Sequence, residues 1–238
     1  MTSRTSRSSR TSRSSRASQP GRRKYDNRRR RADAEARQHR IIEEAIGLFV
    51  ERGFAGTSID DIAAAADVSA PTIYATFGSK SGVLARAIDV SVVGDYNDVP
   101  VVDRVLSLID QAGRQVLRQF AAVAQFIRTV NERVAPLTRV MEQAASTDPA
   151  LEKLRTTLIA AIRADCAVAI ERNWRTALRP GLSEDGAADA MATMMSPAVY
   201  STLVADMGWS PDRYQEWLAH ALPHLLLRPE LLCEPPGR

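Results

Sequence analysis

Cysteine is scarce in this sequence, and long apolar runs are missing. The two cysteines among 238 residues, Cys166 and Cys233, stand far apart and form no Cys-x-x-Cys or Cys/His cluster. This argues against a disulfide scaffold and against a structural zinc site, and it fits a reducing compartment. No stretch approaches ~18 consecutive apolar residues, and no apolar segment follows the basic N-terminus, so neither a transmembrane helix nor a secretory signal is expected. These absences predict a cytoplasmic protein.

Residue sets that carry catalysis are also missing. There is no Ser/His/Asp or Cys/His set, no glycine-rich phosphate loop and no carboxylate cluster. Glu216, His220 and His224 share the spacing i, i+4, i+8 that could hold zinc, but Pro223 interrupts that turn. Polar groups on an exposed helix face are the commoner cause of such a spacing. We therefore expect no enzymatic activity, no metal and no cofactor.

Charge is distributed unevenly along the chain. Residues 1–40 hold 13 arginines and Lys24 against three acidic residues, a net charge of +11, whereas the remainder holds 18 basic and 25 acidic residues, a net charge of −7. A basic arm on a mildly acidic body suggests a polyanionic partner that is met from one end. Membrane attachment would need an apolar face, and the arm has none.

The first 32 residues have the composition of a disordered arm. Residues 2–16 read TSRTSRSSRTSRSSR, without an apolar residue to bury, and a denser basic cluster that includes Arg28, Arg29, Arg30 and Arg31 follows. The arm could be a solubilising tail or the product of an upstream start codon. It could also be a DNA arm, because arginine neutralises phosphate and enters narrow minor grooves. Beside a DNA-binding domain we favour the DNA arm.

From about Asp33 onward the apolar periodicity is helical. Ile41, Ala45, Leu48 and Phe49 form the first stripe, further stripes follow to about Leu225, and no run has the period-two pattern of a strand. The sequence predicts an all-α protein with a DNA-binding domain at 33–95, a helical regulatory and dimerisation domain at 100–228 and a tail at 229–238. Pro136 is expected to separate two helices.

The segment from Gly53 to Lys80 has the pattern of a helix-turn-helix. A short helix ends near Ala66, Asp67 and Val68 form a turn, and a second short helix covers Ser69–Thr76. Such a unit presents its second helix to the DNA major groove. On spacing alone, an αα-hairpin that merely packs is an equally good interpretation.

The same segment resembles the N-terminal domain of TetR-family transcriptional regulators. The match spans about Arg40 to Ile88, and the residues that carry it are Thr57-Ser58-Ile59, Ile62-Ala63, Val68-Ser69, Thr72-Ile73-Tyr74, Phe77 and Lys80. The resemblance implies an N-terminal three-helix helix-turn-helix domain and a C-terminal helical domain. It also implies a homodimer, with the last two helices, about 184–205 and 211–227, at the interface.

The resemblance assigns roles to individual residues. Thr57 or Ser58, Tyr74 and Lys80 would contact phosphates, whereas Ser69, Ala70, Thr72 and Thr76 would face the groove. Three residues depart from the family pattern. Asp67 stands where glycine is usual and must adopt a left-handed conformation, Asp60 stands where a basic residue is common, and Thr76 stands where an aromatic residue or histidine is common.

A ligand cavity is expected in the second half of the chain, because methionine and aromatic side chains there can line an irregular, largely apolar space. The candidates are Phe120, Phe126, Met141, Trp174, Met191, Met194 and Met195, although ordinary core packing would explain each one. The resulting hypothesis is a transcriptional regulator of the repressor type, which a small, largely apolar effector releases from a palindromic operator. The alternative is an arm-dependent DNA-binding protein of low sequence specificity without a ligand.

Overall fold

The structure, a computed structural model, describes residues 20–94 and 99–232, and the side chains from Ala32 onward. Three of the predicted regions lie partly outside the described residues. The missing parts are residues 1–19 of the arm, residue 95 at the end of the 33–95 domain, and residues 233–238 of the tail, which include Cys233. Of the described residues, 20–38 belong to one unit and those from 39 onward to another. The domain boundaries predicted from the sequence remain predictions.

The described residues contain ten α-helices and, apart from one antiparallel bridge between Leu178 and Leu227, no β-structure. The prediction of an all-α protein is confirmed. The helices are α1 (Pro20–Arg52), α2 (Ile59–Ala65), α3 (Ala70–Phe77), α4 (Lys80–Val93), α5 (Val101–Gln111), α6 (Val116–Ala145), α7 (Pro149–Ala169), α8 (Glu184–Met195), α9 (Pro197–Tyr200) and α10 (Pro211–Leu226). Short π segments follow α7 (Ile170–Trp174) and α9 (Ser201–Asp206), and 3-10 turns occupy Arg175–Ala177 and Pro229–Leu231.

Helix α1 begins at Pro20, not near Asp33, so the disorder predicted for residues 20–32 is corrected. Proline is favoured in the first helical turn because its missing N–H would have no partner there. The following residues to Gln38 are rich in arginine and alanine and contain no β-branched side chain, so intrinsic propensity favours a helix. Composition alone had concealed this preference.

Side-chain caps explain where several helices begin. Ser58, Ser79, Asp148, Ser183 and Ser210 each accept a hydrogen bond from a backbone N–H of the helix that follows. Each satisfies one of the N–H groups that lack an intrahelical partner. Serine and aspartate are among the residues most favoured at this position.

Two predicted helix boundaries are wrong. Helix α6 runs through Pro136, because Val134, Leu137 and Met141 continue one buried stripe across it and their burial outweighs the proline cost of about 3 kcal/mol. The helix predicted over 184–205 instead ends at Met195. Pro197 starts α9, and the Ser196 hydroxyl accepts a hydrogen bond from the Val199 N–H, 3.3 Å away.

Two clusters of buried apolar residues form the core of residues 39–238. One lies among α5, α6, α7, α8 and α10, and includes Phe120, Trp174 and Leu218. The other contains the buried residues of α2–α4 and the end of α1, together with Val134, Leu137 and Met141 of α6. Helix α6 therefore contributes to both clusters and completes the core beneath the helix-turn-helix.

Candidate nucleic-acid interface and ligand cavity

Helix α2 starts with a complete capping box. The Ser58 hydroxyl accepts a hydrogen bond from the Asp61 N–H at 3.0 Å, and an Asp61 carboxylate oxygen accepts one from the Ser58 N–H at 2.9 Å. The same oxygen accepts the Ser58 hydroxyl proton, and these hydrogen bonds lower the pKa of Asp61. The carboxylate fixes the helix start, but it also places a negative charge beside the Ser58 position predicted to contact phosphate.

Thr57 does not have the predicted role. Its side chain is fully buried, and its hydroxyl lies within hydrogen-bond distance of two carbonyl oxygens, 2.9 Å to Gly53 and 3.1 Å to Leu48. The hydroxyl therefore fixes the end of α1 against the start of α2 and cannot reach a phosphate. The sequence does not reveal that Thr57 is buried, because threonine occurs both at exposed helix N-caps and in protein cores.

Lys80 also has an internal role. Its ammonium group donates hydrogen bonds to the carbonyl oxygens of Phe54 at 2.7 Å and Thr57 at 2.8 Å, and lies 4.2 Å from the centre of the Phe54 ring. Two of its three N–H donors therefore hold the loop before α2. The predicted phosphate contact has one donor left, and it stays a prediction.

The turn between α2 and α3 adopts the predicted geometry. Asp67 has φ +52°, a left-handed conformation, and it is the one non-glycine residue with positive φ among the described ranges. The Val68 N–H reaches the Ala63 carbonyl at 3.0 Å, and Arg40 of α1 donates from Nε to the Ala66 carbonyl at 2.9 Å. The side chain of Ile73 is fully buried and packs α3 against the other helices of residues 39–94, which we call the head.

The outward face of α3 is small and uncharged. The Ser69 and Thr72 hydroxyls lie 2.8 Å apart, and the Thr76 hydroxyl donates to the Thr72 carbonyl at 2.8 Å. Ser69 and Thr76 are exposed, whereas Ala70 and Thr72 are half-buried. Tyr74 is 53% exposed, and its hydroxyl has no hydrogen-bond partner within the described chain. Ser69, Tyr74 and Thr76 are thus accessible from outside, whereas Ala70 packs partly against the core, and the DNA contacts expected of all five residues stay predictions.

Positive charge is scarce in the folded head. Residues 39–94 contain four arginines and lysines against seven aspartates and glutamates, a net charge of −3. Two of the four cations, Arg40 and Lys80, already donate to backbone carbonyls. The positive charge predicted to meet phosphate therefore comes from residues 1–31, and the side chains of Arg28, Arg29, Arg30 and Arg31 lie outside what the structure describes.

A cavity of about 660 Å³ lies between α4–α9, so its wall includes residues of the first half of the chain as well as the second. Such a volume takes a drug-sized molecule. Met141, Met191 and Met195 line it as predicted, among valine and isoleucine side chains of α4–α7. Buried Asn131 also lines it and donates to the Met195 carbonyl at 3.1 Å and the Tyr214 hydroxyl at 3.2 Å.

The other four predicted cavity residues are not among those that line it. Phe120 and Trp174 stack in the core with ring centres 4.3 Å apart, and the Trp174 indole N–H donates to Gln119 Oε1 at 2.8 Å. Phe126 and Met194 are partly buried against core clusters. All four are explained by core packing, the alternative that the sequence left open.

Helix α4 belongs to both the head and the cavity wall. Its first residue, Lys80, holds the loop before α2, whereas Ile88 and Val92 near its other end line the cavity. Arg133 of α6 donates to the carbonyl oxygens of Ser91 at 2.9 Å and Val92 at 3.3 Å, which fastens the last turn of α4. Gly94 permits this approach, since a Cβ there would lie 2.6 Å from the guanidinium carbon.

No group of three metal-ligating side chains occurs among residues 20–94 and 99–232. His220 and His224 lie with ring centres 4.2 Å apart on α10, which continues through Pro223, and the His224 Nδ1 lies 2.8 Å from the His220 carbonyl oxygen. Within the same ranges, no helix has the length and apolarity needed to cross a bilayer.

Curated relatives match a limited part of the chain. An HTH-type transcriptional repressor of Streptomyces coelicolor, SCO4008, is 38% identical over 69 residues, which cover 29% of this chain and 36% of that protein. The negative transcriptional regulator IcaR of the biofilm operon icaADBC in Staphylococcus aureus is 37% identical over 49 residues, which cover 21% of this chain and 26% of IcaR. The chain thus spans about a third and a quarter of these relatives.

Solved structures match nearly the whole described fold. The crystal structure of NalD, the secondary repressor of the MexAB-OprM multidrug efflux pump in Pseudomonas aeruginosa, aligns with a TM-score of 0.64 and 20% identity over 83% of this chain and 98% of NalD. The SmeT–triclosan complex aligns with a TM-score of 0.62 and 18% identity over 85% of this chain and all of that one. At these identities the likeness concerns the fold alone.

The described residues thus combine a helix-turn-helix head with a helical body that contains the cavity. Residues 41–87 match the family described as "Bacterial regulatory proteins, tetR family". Over these residues the match confirms the resemblance to the TetR family that the helix-turn-helix motif predicted.

Proposed function

We propose that this chain is a cytoplasmic transcriptional regulator, a repressor that a small molecule releases from its operator. The observation that carries the proposal is the position of α4, which links Lys80 in the head to Ile88 and Val92 in the cavity wall. A ligand that displaces the cavity wall also displaces the helix on which the head is seated. The double-stranded DNA and the effector are bound rather than chemically converted.

On the DNA side, α3 would enter the major groove with Ser69, Ala70, Thr72 and Thr76, while Tyr74 contacts a phosphate. The repressors SCO4008, IcaR and NalD support this assignment for the head. A homodimer would place two α3 helices about 34 Å apart to read a palindrome. Its interface would comprise α8, α9 and α10, which cover the ranges expected from the family.

On the ligand side, the effector would favour a dimer whose heads no longer match the operator spacing. Ligand and DNA then share one coupling free energy, typically equivalent to a 5–150-fold change in affinity. The test is to screen compounds for a raised melting temperature and to measure operator affinity with each stabiliser. If stabilisers are found and none lowers operator affinity, the switch is refuted.

Arg133 allows a sharper version of this test. Replacing Arg133 by methionine frees the last turn of α4, so an effector should still bind but change operator affinity several-fold less. Arg139→Met is the matched control: Arg139 lies on the same helix, but its 2.9 Å ion pair is with Asp206. Equal effects of the two substitutions would contradict the role assigned to α4.

The acidic head favours a second candidate function, a DNA-binding protein of low sequence specificity that depends on its arm. With a net charge of −3 in residues 39–94 and no charge on the face of α3, the arm would supply most of the affinity. Selection of binding sites from random DNA separates the two candidates. A recurring palindrome supports the repressor, whereas an absence of enrichment supports the second candidate.

A further inference from the structure

Two of the carboxylates that line the cavity are not in an ion pair with any described residue. They belong to Asp165 and Glu142. Asp165 is half-buried beside Cys166, whereas Glu142 lies at the exposed rim. Burial raises the pKa of Asp165, and the like charge of Asp103 raises it further. Desolvation likewise raises the pKa of Glu142.

The arginines near the cavity already have partners. Arg155 binds the two oxygens of Glu152 at 2.7 and 2.8 Å, and Arg139, which with Arg155 lowers the pKa of Glu142, pairs with Asp206. Arg163 contacts Asp185 at 2.9 Å and Asp189 at 2.5 Å. The acidic partners of Arg155 and Arg163 cancel the positive charge of these two lining arginines. The unpaired Glu142 and Asp165 therefore leave the cavity wall with a net negative charge.

Most of the other lining residues are apolar. Ile159, 54% exposed, lies at the rim, with Ile162 and Val105 further along the wall. A hydrocarbon body would bury its surface against these side chains, and a positive charge would stabilise the carboxylate that burial disfavours.

We propose that the cavity binds a lipophilic cation, with Asp165 as its principal counter-charge and Glu142 as a second one at the rim. The proposal rests on the proposed effector site and narrows its ligand class. The largely apolar effector expected from the sequence thereby gains a charge. An anionic effector would meet two carboxylates and no free arginine among the lining residues.

Two ions of the same shape and opposite charge test this. Tetraphenylphosphonium and tetraphenylborate each carry four phenyl rings on one atom, and triphenylmethanol serves as the neutral probe. Binding of each to the full-length protein is measured by titration calorimetry. The cation is expected to bind at least tenfold more tightly than the anion.

Asp165→Asn should lower affinity for the cation about tenfold, equivalent to about 1.4 kcal/mol, and leave the neutral probe unchanged. Glu142→Gln should have a smaller effect in the same direction. Glu171→Gln, an exposed acid outside the lining, is the control and should have none. All variants keep the basic arm, so any binding of a probe to the arm is the same in each of them. Differences in affinity between the variants therefore report on the cavity.

The outcomes separate this proposal from the proposed function. Equal affinity for both ions, or an equal loss in Asp165→Asn and Glu171→Gln, overturns the cation assignment. If the neutral probe binds and lowers operator affinity while the cation shows no preference, the regulator stands and only its ligand class is wrong. If no probe binds, the effector site and this inference both fail.

Discussion

Replacing Lys80 by methionine removes the ammonium group but keeps most of the side chain's apolar length. The substitution breaks the hydrogen bonds to the Phe54 and Thr57 carbonyl oxygens, 2.7 and 2.8 Å long, and the cation–π contact with the Phe54 ring. Hydrogen bonds to charged groups contribute about 1.5–3 kcal/mol each, and a cation–π contact about 0.5–1 kcal/mol. Lys80 is half-buried, so water can reach part of this site and the lower values apply.

The free energy of unfolding should therefore fall by about 3.5 kcal/mol in Lys80→Met. For a chain of this length the melting temperature should fall by roughly 7–14 °C. Denaturant titration followed by circular dichroism measures the first quantity, and calorimetry the second. A change below about 0.5 kcal/mol, the range typical of surface substitutions, would refute the internal role of Lys80.

Tyr74→Phe is the matched comparison. The Tyr74 hydroxyl is exposed and has no described partner, so its removal should leave the unfolding free energy within about 0.5 kcal/mol. If the hydroxyl binds phosphate, operator affinity should fall. Loss of affinity in Lys80→Met combined with an unchanged Tyr74→Phe would indicate that the lysine acts on DNA binding through the fold of the head.

Three further predictions follow from the head and the arm. Deleting residues 2–31, which carry a net charge of +11, should lower the affinity for operator DNA and for random DNA by similar factors. The slope of log K against log salt should become less steep by roughly 0.9 for each phosphate that the arm had neutralised. An unchanged slope would mean that the arm is only solubilising. Asp67→Gly should stabilise the fold by about 1 kcal/mol, because glycine adopts φ +52° without strain, whereas a decrease in the denaturation midpoint would contradict this. Because the folded-state pKa of Asp61 is lowered, its charge contributes stability above its usual pKa, and this contribution disappears as pH falls through the lowered value. The stability difference between the native chain and Asp61→Asn should thus shrink in acid, and a pH-independent difference would rule out the capping box.

The head was the most predictable part of the molecule because local chemistry determines it. The caps Ser58 and Ser79 and the left-handed Asp67 act within a few residues of the turns they form, so the local sequence carries the signal for these turns. The role of Thr57 was not visible, since its partners Leu48 and Gly53 become neighbours only after α1 has packed. Burial is a property of the fold and not of the residue.

The cavity was predicted less well for the same reason. Methionine and aromatic content identified Met141, Met191 and Met195, but could not distinguish them from Phe120 and Trp174, which stack on each other. No sequence pattern indicated that Asp165 and Glu142 line the cavity. Whether Asp165 is neutralised depends on where Arg155 and Arg163 find partners. Arg155 pairs with Glu152 on its own helix, whereas Arg163 pairs with Asp185 of α8, and the sequence pattern does not show that second contact.

The contribution of α6 to both cores has a consequence for protein engineering. Val134, Leu137 and Met141 lie more than 40 residues beyond α4, yet they complete the core beneath the helix-turn-helix. A fragment that stops at residue 95 would expose the apolar face that these side chains cover. Chimeras that exchange DNA-binding heads between family members must therefore transplant this stripe of α6 with the head, or redesign it to fit.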